Sequence, residues 1–145
     1  MGEDLLGDGW SGEIINVDFS PVVIEQMKER YNDKFYDRFH NPRKMEFLCA
    51  DVTQPLPFED KSFDLIICKG TFDAVLSSSG SVANANRIVE ESVRLLANGH
   101  GVFFLVSYAN PDSRIVFLEH HNDLSYYWQE VSTHTVARVN GTGKK

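Results

Sequence analysis

Apolar runs of strand length alternate along the chain with segments in which apolar residues recur every three or four positions. One run, SFDLIICKG, is almost continuously apolar, which is typical of a parallel strand covered on both faces. Strands that alternate with helices indicate βαβ units and a mainly parallel sheet, so we predict a doubly wound α/β fold. The predicted strands lie at residues 13–19, 45–52, 62–70 and 100–108.

The segment SPVVIEQMKERY predicts the first clear helix. Ser20 suits the N-cap and Pro21 suits the first helical position. Ile24, Met27 and Tyr31 then fall on one face of the helix, which we expect to be buried.

The segment NANRIVEESVRLLANG predicts a longer helix. Val89, Val93 and Leu96 share a face, Glu90 and Arg94 are spaced to pair, and the closing glycine suits a left-handed helix stop. Shorter helices are predicted over GTFDAVLSS and PDSRIVFLEHH, whereas SYYWQEVSTHTVARV is rich in residues that favour strands.

Composition and charge narrow the classes of function. The 145 residues carry a net charge of −7, which argues against a nucleic-acid surface because phosphate binding needs clustered Lys and Arg. Without a membrane-length apolar run or a signal peptide, we expect one cytoplasmic domain over residues 1–139, a polar tail at 140–145 and no membrane contact. Cys49 and Cys68 lie in apolar stretches and are expected to be free thiols.

Residues 7–12, GDGWSG, match the dinucleotide-binding pattern G-x-G-x-x-G. That pattern binds phosphate when a strand leads into it and a helix leaves it. Here only MGEDLL precedes Gly7, whereas the strand-like EIINVDFS follows Gly12. We therefore interpret GDGWSG as a helix end and a turn that enters a strand.

Polar residues at the carboxyl ends of the predicted strands are candidates for ligand binding, because ligands of such sheets bind there. Asp18 could accept hydrogen bonds from two ribose hydroxyls or cap the following helix. Asp51 could accept a hydrogen bond from the exocyclic amine of an adenine, or it could be an ordinary loop-forming residue. Together the two acids match a bound adenosine, and neither suits a phosphate. Gly70, between Lys69 and Thr71, would let the backbone approach a ligand.

Other conspicuous side chains have structural interpretations. His120 and His121 are adjacent and lack the spacing of a metal pair, so we predict no metal site. Tyr126, Tyr127 and Trp128 could line a substrate channel or bind an alkylammonium group, but we favour strand packing for them.

The order of three segments resembles a known family. VDFSPVVI, CADVTQPLPFEDKSFDLIICKGTFDAVL and RLLANGHGVFFLVSYANPDSR follow one another as in the seven-strand S-adenosylmethionine-dependent methyltransferases. More narrowly, the chain resembles the group that includes lysine methyltransferases of translation elongation factor 1 alpha and of citrate synthase. The resemblance covers roughly residues 3–139, and KGTFDA is its most specific part.

The resemblance implies a Rossmann-like methyltransferase fold, S-adenosylmethionine as cofactor, and a protein lysine or amino terminus as the methyl acceptor. Thr71 and Asp73 are candidates for helping the acceptor amine lose its proton, although Asp73 could instead orient the local helix. The implied cofactor-binding residues are Asp18 at the ribose, Phe19 beside the adenine, Asp51 and Val52 at the adenine edge, Lys69 near the methionine end and Gly70 beside it.

The chain also departs from the family pattern. We find no counterpart of the family's first strand and glycine-rich loop before EDLLGDGW, and no clear final strand after HTVARV. The first strand normally lies between the strands predicted at 13–19 and 62–70, so we expect a sheet that is incomplete at its middle. We favour an incomplete gene model of a working enzyme. The alternatives are a non-catalytic interaction module and a homo-oligomer that completes its sheet with another copy.

Overall fold

The structure is a computed structural model that describes residues 2–32, 45–79, 81–119 and 128–136. The alternation of strands and helices predicted from the sequence is confirmed, although each strand is shorter than its apolar run. In chain order the elements are α1 (Gly2–Gly7), β1 (Ile14–Asp18), α2 (Pro21–Asn32), β2 (Met45–Cys49), β3 (Leu65–Lys69), α3 (Thr71–Leu76), α4 (Ser81–Leu95), β4 (Val102–Val106) and α5 (Asp112–Glu119).

The strands form two separate parallel pairs. β1 pairs with β2, and β3 pairs with β4. Within the described residues no ladder of hydrogen bonds joins the two pairs. A cavity of about 170 Å³ lies between them, with Ile15 and Val17 of β1 on one side and residues 65–68 of β3 on the other. The sheet is therefore incomplete at its middle, as expected from the sequence.

The main buried cluster lies on the β3–β4 pair. Phe72 of α3 is completely buried, and its ring meets the ring of Phe117 edge to face at 5.4 Å between centroids. The two rings are carried by α3, which follows β3 in the chain, and by α5, which follows β4. Helices that follow strands and pack beside them are typical of an α/β fold. The buried members of the cluster are Cys68, Phe72, Ala85, Ile88 and Val89.

The buried face of α4 differs from the predicted one. Val89 and Leu96 are buried as expected, but Val93 is 36% exposed. The buried face is instead centred on Ser92, whose hydroxyl donates to the Ile88 carbonyl oxygen at 2.7 Å. This internal hydrogen bond satisfies the serine, so a polar residue can occupy the middle of the face and Val93 falls beyond its edge.

The predicted pairing of Glu90 with Arg94 is also wrong. The Arg94 guanidinium bonds to Glu91 at 2.6 Å and to Asp60 at 2.6 Å. It also donates to carbonyl oxygens of the connection between β2 and β3, including that of Phe58 at 2.9 Å. Arg94 turns toward this connection because the loop offers it several acceptors at once.

The interpretation of GDGWSG as a helix end and a turn is confirmed. α1 ends at Gly7, Gly9 has a φ of 100°, and β1 begins at Ile14. The predicted start of α2 is confirmed as well, since the Val23 amide donates to the Ser20 hydroxyl at 3.3 Å.

Trp128 packs against the main cluster, although not from the strand that was predicted. Its ring stacks on Phe103 at 6.2 Å, and its Nε1 donates to the Leu118 carbonyl oxygen at 2.9 Å. Residues 128–136 form no strand. The predictions for Tyr126, Tyr127, His120 and His121 lie outside the described residues.

Cys49 is exposed, Cys68 is buried, and both are free thiols, as expected. Burial raises the pKa of the Cys68 thiol. No helix among the described residues is long and apolar enough to cross a membrane. Nor do the described residues bring together a group of histidine, cysteine or acidic side chains that could hold a metal ion.

Candidate functional site

The two acids predicted to bind adenosine follow neighbouring parallel strands. Asp18 is the last residue of β1 and lies opposite Cys49, the last residue of β2. The Ala50 amide donates to the Asp18 carbonyl oxygen at 3.0 Å, and Asp51 comes next in the chain. Because neighbouring strands lie about 4.8 Å apart, both acids belong to the same edge of the β1–β2 pair.

Each acid uses one carboxylate oxygen to fix its own loop. Asp18 Oδ1 accepts from the Ser20 amide at 2.8 Å. Asp51 Oδ1 accepts from the Thr53 amide at 2.9 Å and from the Thr53 hydroxyl at 2.8 Å. No described residue donates to either Oδ2 atom, so each acid keeps an acceptor oxygen for a ligand. Orienting the local loop and binding ribose are therefore compatible roles for Asp18.

The surroundings of the two acids suit a nucleoside. The amide and then the hydroxyl of Thr53 hold the pKa of Asp51 below its usual range, so this carboxylate is a pure acceptor at neutral pH. Phe19, beside Asp18, is 80% exposed and offers an apolar ring to a base. Val52 is half-buried, packs against the main cluster and lines the cavity between β1 and β3.

The end of β3 forms the other side of that cavity. Lys69 is the exposed last residue of β3, and Gly70 follows with a φ of 76°, a left-handed conformation that favours glycine. Apart from its chain neighbours, no described residue has an atom within 4 Å of the place that a Cβ on Gly70 would take. Thr71 begins α3 and lines the same cavity as Val52. Six of the predicted residues thus lie at strand ends, and Thr71 and Val52 meet at one opening.

Asp73 belongs to a different set of contacts. Its Oδ1 accepts from the Ser107 hydroxyl at 2.6 Å and from Arg114 Nη2 at 3.0 Å, and its Oδ2 accepts from the Tyr108 amide at 2.9 Å. Partial burial opposes ionisation most strongly, but the hydrogen bonds from these three residues together hold the pKa of Asp73 below its usual range. Such a carboxylate is a weak base, so the geometry favours the alternative in which Asp73 orients local structure.

Three residues of this contact set were not predicted from the sequence: Ser107, Tyr108 and Arg114. They follow β4 within the segment SYANPDSR, which contributed to the family resemblance but to no assigned role. Arg114 lies 41 positions beyond its partner Asp73. Their position in the sequence could have identified them, because residues just after β4 and β3 meet at the carboxyl end of this strand pair.

Comparison with known proteins decides the family. Residues 3–105, more than half of the chain, match the family described as "Methyltransferase domain". The chain belongs to this methyltransferase family. Its parallel strands and its α/β order are those expected of a methyltransferase from the sequence resemblance.

This methyltransferase domain is 39% identical over 111 residues to the eEF1A lysine and N-terminal methyltransferase of Mus musculus, covering 75% of this chain and 14% of the relative. It is 29% identical over 125 residues to the mitochondrial citrate synthase-lysine N-methyltransferase of Danio rerio, which covers 86% of this chain and 49% of the relative. A SAM-dependent methyltransferase from Methanosarcina mazei shares its fold, with a TM-score of 0.61 and 20% identity over 81% of this chain and 51% of that structure. The chain spans about half or less of the length of these proteins.

S-adenosylmethionine is the cofactor of this methyltransferase family, and the described residues fit its nucleoside half. Ribose hydroxyls and the adenine amine are hydrogen-bond donors, and Asp18 and Asp51 each keep an acceptor oxygen. The exposed ring of Phe19, next to Asp18 in the chain, offers an apolar surface to the base. The open space at Gly70 leaves room for a ligand on the β3 side.

Proposed function

We propose that this methyltransferase domain binds S-adenosylmethionine through Asp18 and Asp51 and serves the methylation of a protein lysine or amino terminus. The observation that carries the proposal is the acceptor oxygen that each acid keeps at neighbouring strand ends. The acceptor class is supported by the relatives, whose names describe lysine and N-terminal methyltransferases.

When bound, S-adenosylmethionine supplies a methyl group activated by a sulfonium. The protein's own contribution is alignment, which can account for roughly 7–11 kcal/mol of a barrier when two reactants are held in position. Asp18 and Asp51 would hold the nucleoside, and Lys69 and Gly70 at the end of β3 would lie near its methionine end. Thr71 is exposed at the start of α3, where its hydroxyl can accept a hydrogen bond from the acceptor amine.

A calorimetric titration with S-adenosylhomocysteine tests the proposal. We expect micromolar binding by the chain and a loss of about tenfold in affinity, or about 1.4 kcal/mol, for Asp18→Asn. Asparagine keeps an oxygen that can accept from the Ser20 amide, so this variant removes charge and acceptor capacity toward the ribose while preserving the loop.

The matched control is Asp64→Asn, at the amino end of β3, where the carboxylate pairs with His100 at 2.9 Å and is 80% exposed. Its affinity for S-adenosylhomocysteine should equal that of the unchanged chain. Equal affinity in Asp18→Asn, or no binding by the folded chain, would contradict the proposal.

The open middle of the sheet favours one second candidate, a non-catalytic interaction module. Two strand edges that face a cavity, and that pair with no described strand there, can accept a strand from another chain, including a second copy. Absence of cofactor binding together with a dimer in sedimentation experiments would support this candidate over the enzyme.

A further inference from the structure

A second concave surface lies beyond the carboxyl end of β4. We name it the α3–α5 groove, after the helices that border it, and its volume is about 540 Å³. Leu76 of α3 and Phe117 of α5 give it apolar walls, and Asp73, Tyr108 and Arg114 lie between them. The cofactor residues at the ends of β1, β2 and β3 do not line it.

Tyr108 is unusual among the apolar and aromatic residues of this surface. Its side chain is 97% exposed, yet its backbone is held by the hydrogen bond from its amide to Asp73 Oδ2 at 2.9 Å. The neighbouring Ser107 hydroxyl donates to the same carboxylate. A solvated aromatic ring on a fixed backbone is a common feature of recognition surfaces, because little conformational entropy is lost on binding.

The charges of the groove suit a cationic side chain rather than an anion. Arg114 is neutralised by Asp73, and both side chains are at most 20% exposed. The exposed Asp112 begins α5, the helix that carries Arg114 and Phe117, and the whole chain has a net charge of −7. The face of an aromatic ring attracts the ammonium group of a lysine side chain, and the ring also packs against the methylene stem of that side chain.

We propose that the α3–α5 groove binds the segment of the protein substrate that carries the acceptor, with a lysine side chain of that segment on the ring of Tyr108. Asp73 and Arg114 act as positioning residues that hold the loop after β4. This inference rests on the proposed function for the identity of the partner, but it concerns residues that do not touch the nucleoside site.

The test is a nuclear magnetic resonance titration with two glycine–serine peptides, one with a single central lysine and one with norleucine in its place. Each is titrated with and without S-adenosylhomocysteine. We expect the lysine peptide to bind more tightly, Tyr108→Ala to weaken its binding about tenfold, and Tyr108→Phe to change it less than twofold.

Val116→Ala is the control, since Val116 is 57% exposed on α5 but does not line the groove. It should leave peptide binding unchanged, and all three variants should keep the affinity for S-adenosylhomocysteine. Equal binding of the two peptides, or an unchanged affinity in Tyr108→Ala, overturns the proposal. Either result leaves the proposed function intact if Asp18→Asn still weakens cofactor binding, whereas loss of that effect contradicts the proposed function alone.

Discussion

The molecule has two regions that differ in how completely they are buried. The first, which we call the β3–β4 half, consists of β3, β4 and the helices α3 to α5. Three of its side chains are completely excluded from solvent, namely Phe72, Ala85 and Val89. The second region, the β1–β2 half, consists of α1, α2, β1 and β2. All five residues of its strand β1 are only half-buried. Its buried apolar side chains are Leu6, Ile24 and Met45, which form no cluster of buried residues among the described part of the chain.

The difference follows from the cavity between the halves. A central parallel strand is normally buried on both faces and paired on both edges, but β1 pairs only with β2 among the described residues. The β3–β4 half compensates through its own helices, and Val52, from the connection after β2, also packs against its cluster. Asp18 and Asp51, the acids proposed to bind the nucleoside, thus lie at strand ends of the half with fewer completely buried side chains, and the groove of Tyr108 lies on the half with more.

The strongest test of this comparison uses matched aromatic pairs. Phe72 meets Phe117 at 5.4 Å in the β3–β4 half, and Phe47 meets Tyr31 at 5.6 Å in the β1–β2 half. We expect Phe72→Ala to lower the free energy of unfolding by about 3–5 kcal/mol, because it opens a cavity in a closed cluster. Phe47→Ala should cost about 1–2 kcal/mol, because Phe47 is already half-buried. Urea denaturation followed by circular dichroism measures both, and equal losses would show that the halves share one core.

A smaller effect is expected from the polar network that attaches the β2–β3 connection to α4. Arg94→Met keeps the apolar stem but removes the bonds to Glu91 and Asp60. It leaves the Glu91 carboxylate, 12% exposed, without its main partner, so we expect a loss of about 2 kcal/mol in urea denaturation. Arg87→Met on the same helix is the control, because the Arg87 guanidinium bonds only weakly to Asn84, at 3.5 Å. A similar loss in both variants would contradict a specific role for the network.

The same network predicts how stability depends on pH. The hydrogen bond from Arg94 holds the pKa of Glu91 below its usual value of 4.5. A carboxyl group whose pKa is lower in the folded state stabilises the fold above its unfolded pKa, and this contribution is lost as the pH falls through the folded value. Unfolding free energies measured from pH 6 down to pH 3 should therefore fall less steeply for Glu91→Gln than for the unchanged protein. Parallel curves would show that Glu91 does not titrate with folding.

Much of the fold could be predicted because its signals are local. Buried strands appear as short apolar runs, and an N-cap serine before a proline marks the start of α2. The acids at strand ends could be predicted for the same reason, since Asp18 and Asp51 follow apolar runs directly and parallel strands bring such positions together. Their roles in binding remain predictions.

The residues that could not be predicted depend on contacts between distant segments. Arg94 reaches Asp60 across 34 positions, and Arg114 reaches Asp73 across 41. Nothing in the spacing of a sequence favours these partners over nearer ones such as Glu90. Ser92 at the centre of a buried face was missed because the hydrogen bond that makes its burial acceptable forms inside the helix.

The smallest expected effect on stability is the difference between replacing one glycine with alanine in each half. Gly70, between β3 and α3, has a φ of 76°, whereas Gly7, at the end of α1, does not have a positive φ. Apart from local backbone and chain neighbours, no described residue has an atom within 4 Å of a Cβ on either glycine. Alanine therefore meets no steric contact at either position, and the difference between the two substitutions isolates the backbone conformation. We expect Gly70→Ala to cost about 1 kcal/mol and Gly7→Ala to be neutral or slightly stabilising in urea denaturation. If Gly70→Ala is also neutral, the turn after β3 relaxes freely. The β3–β4 half would then be less rigid at its ligand-binding edge than in its core.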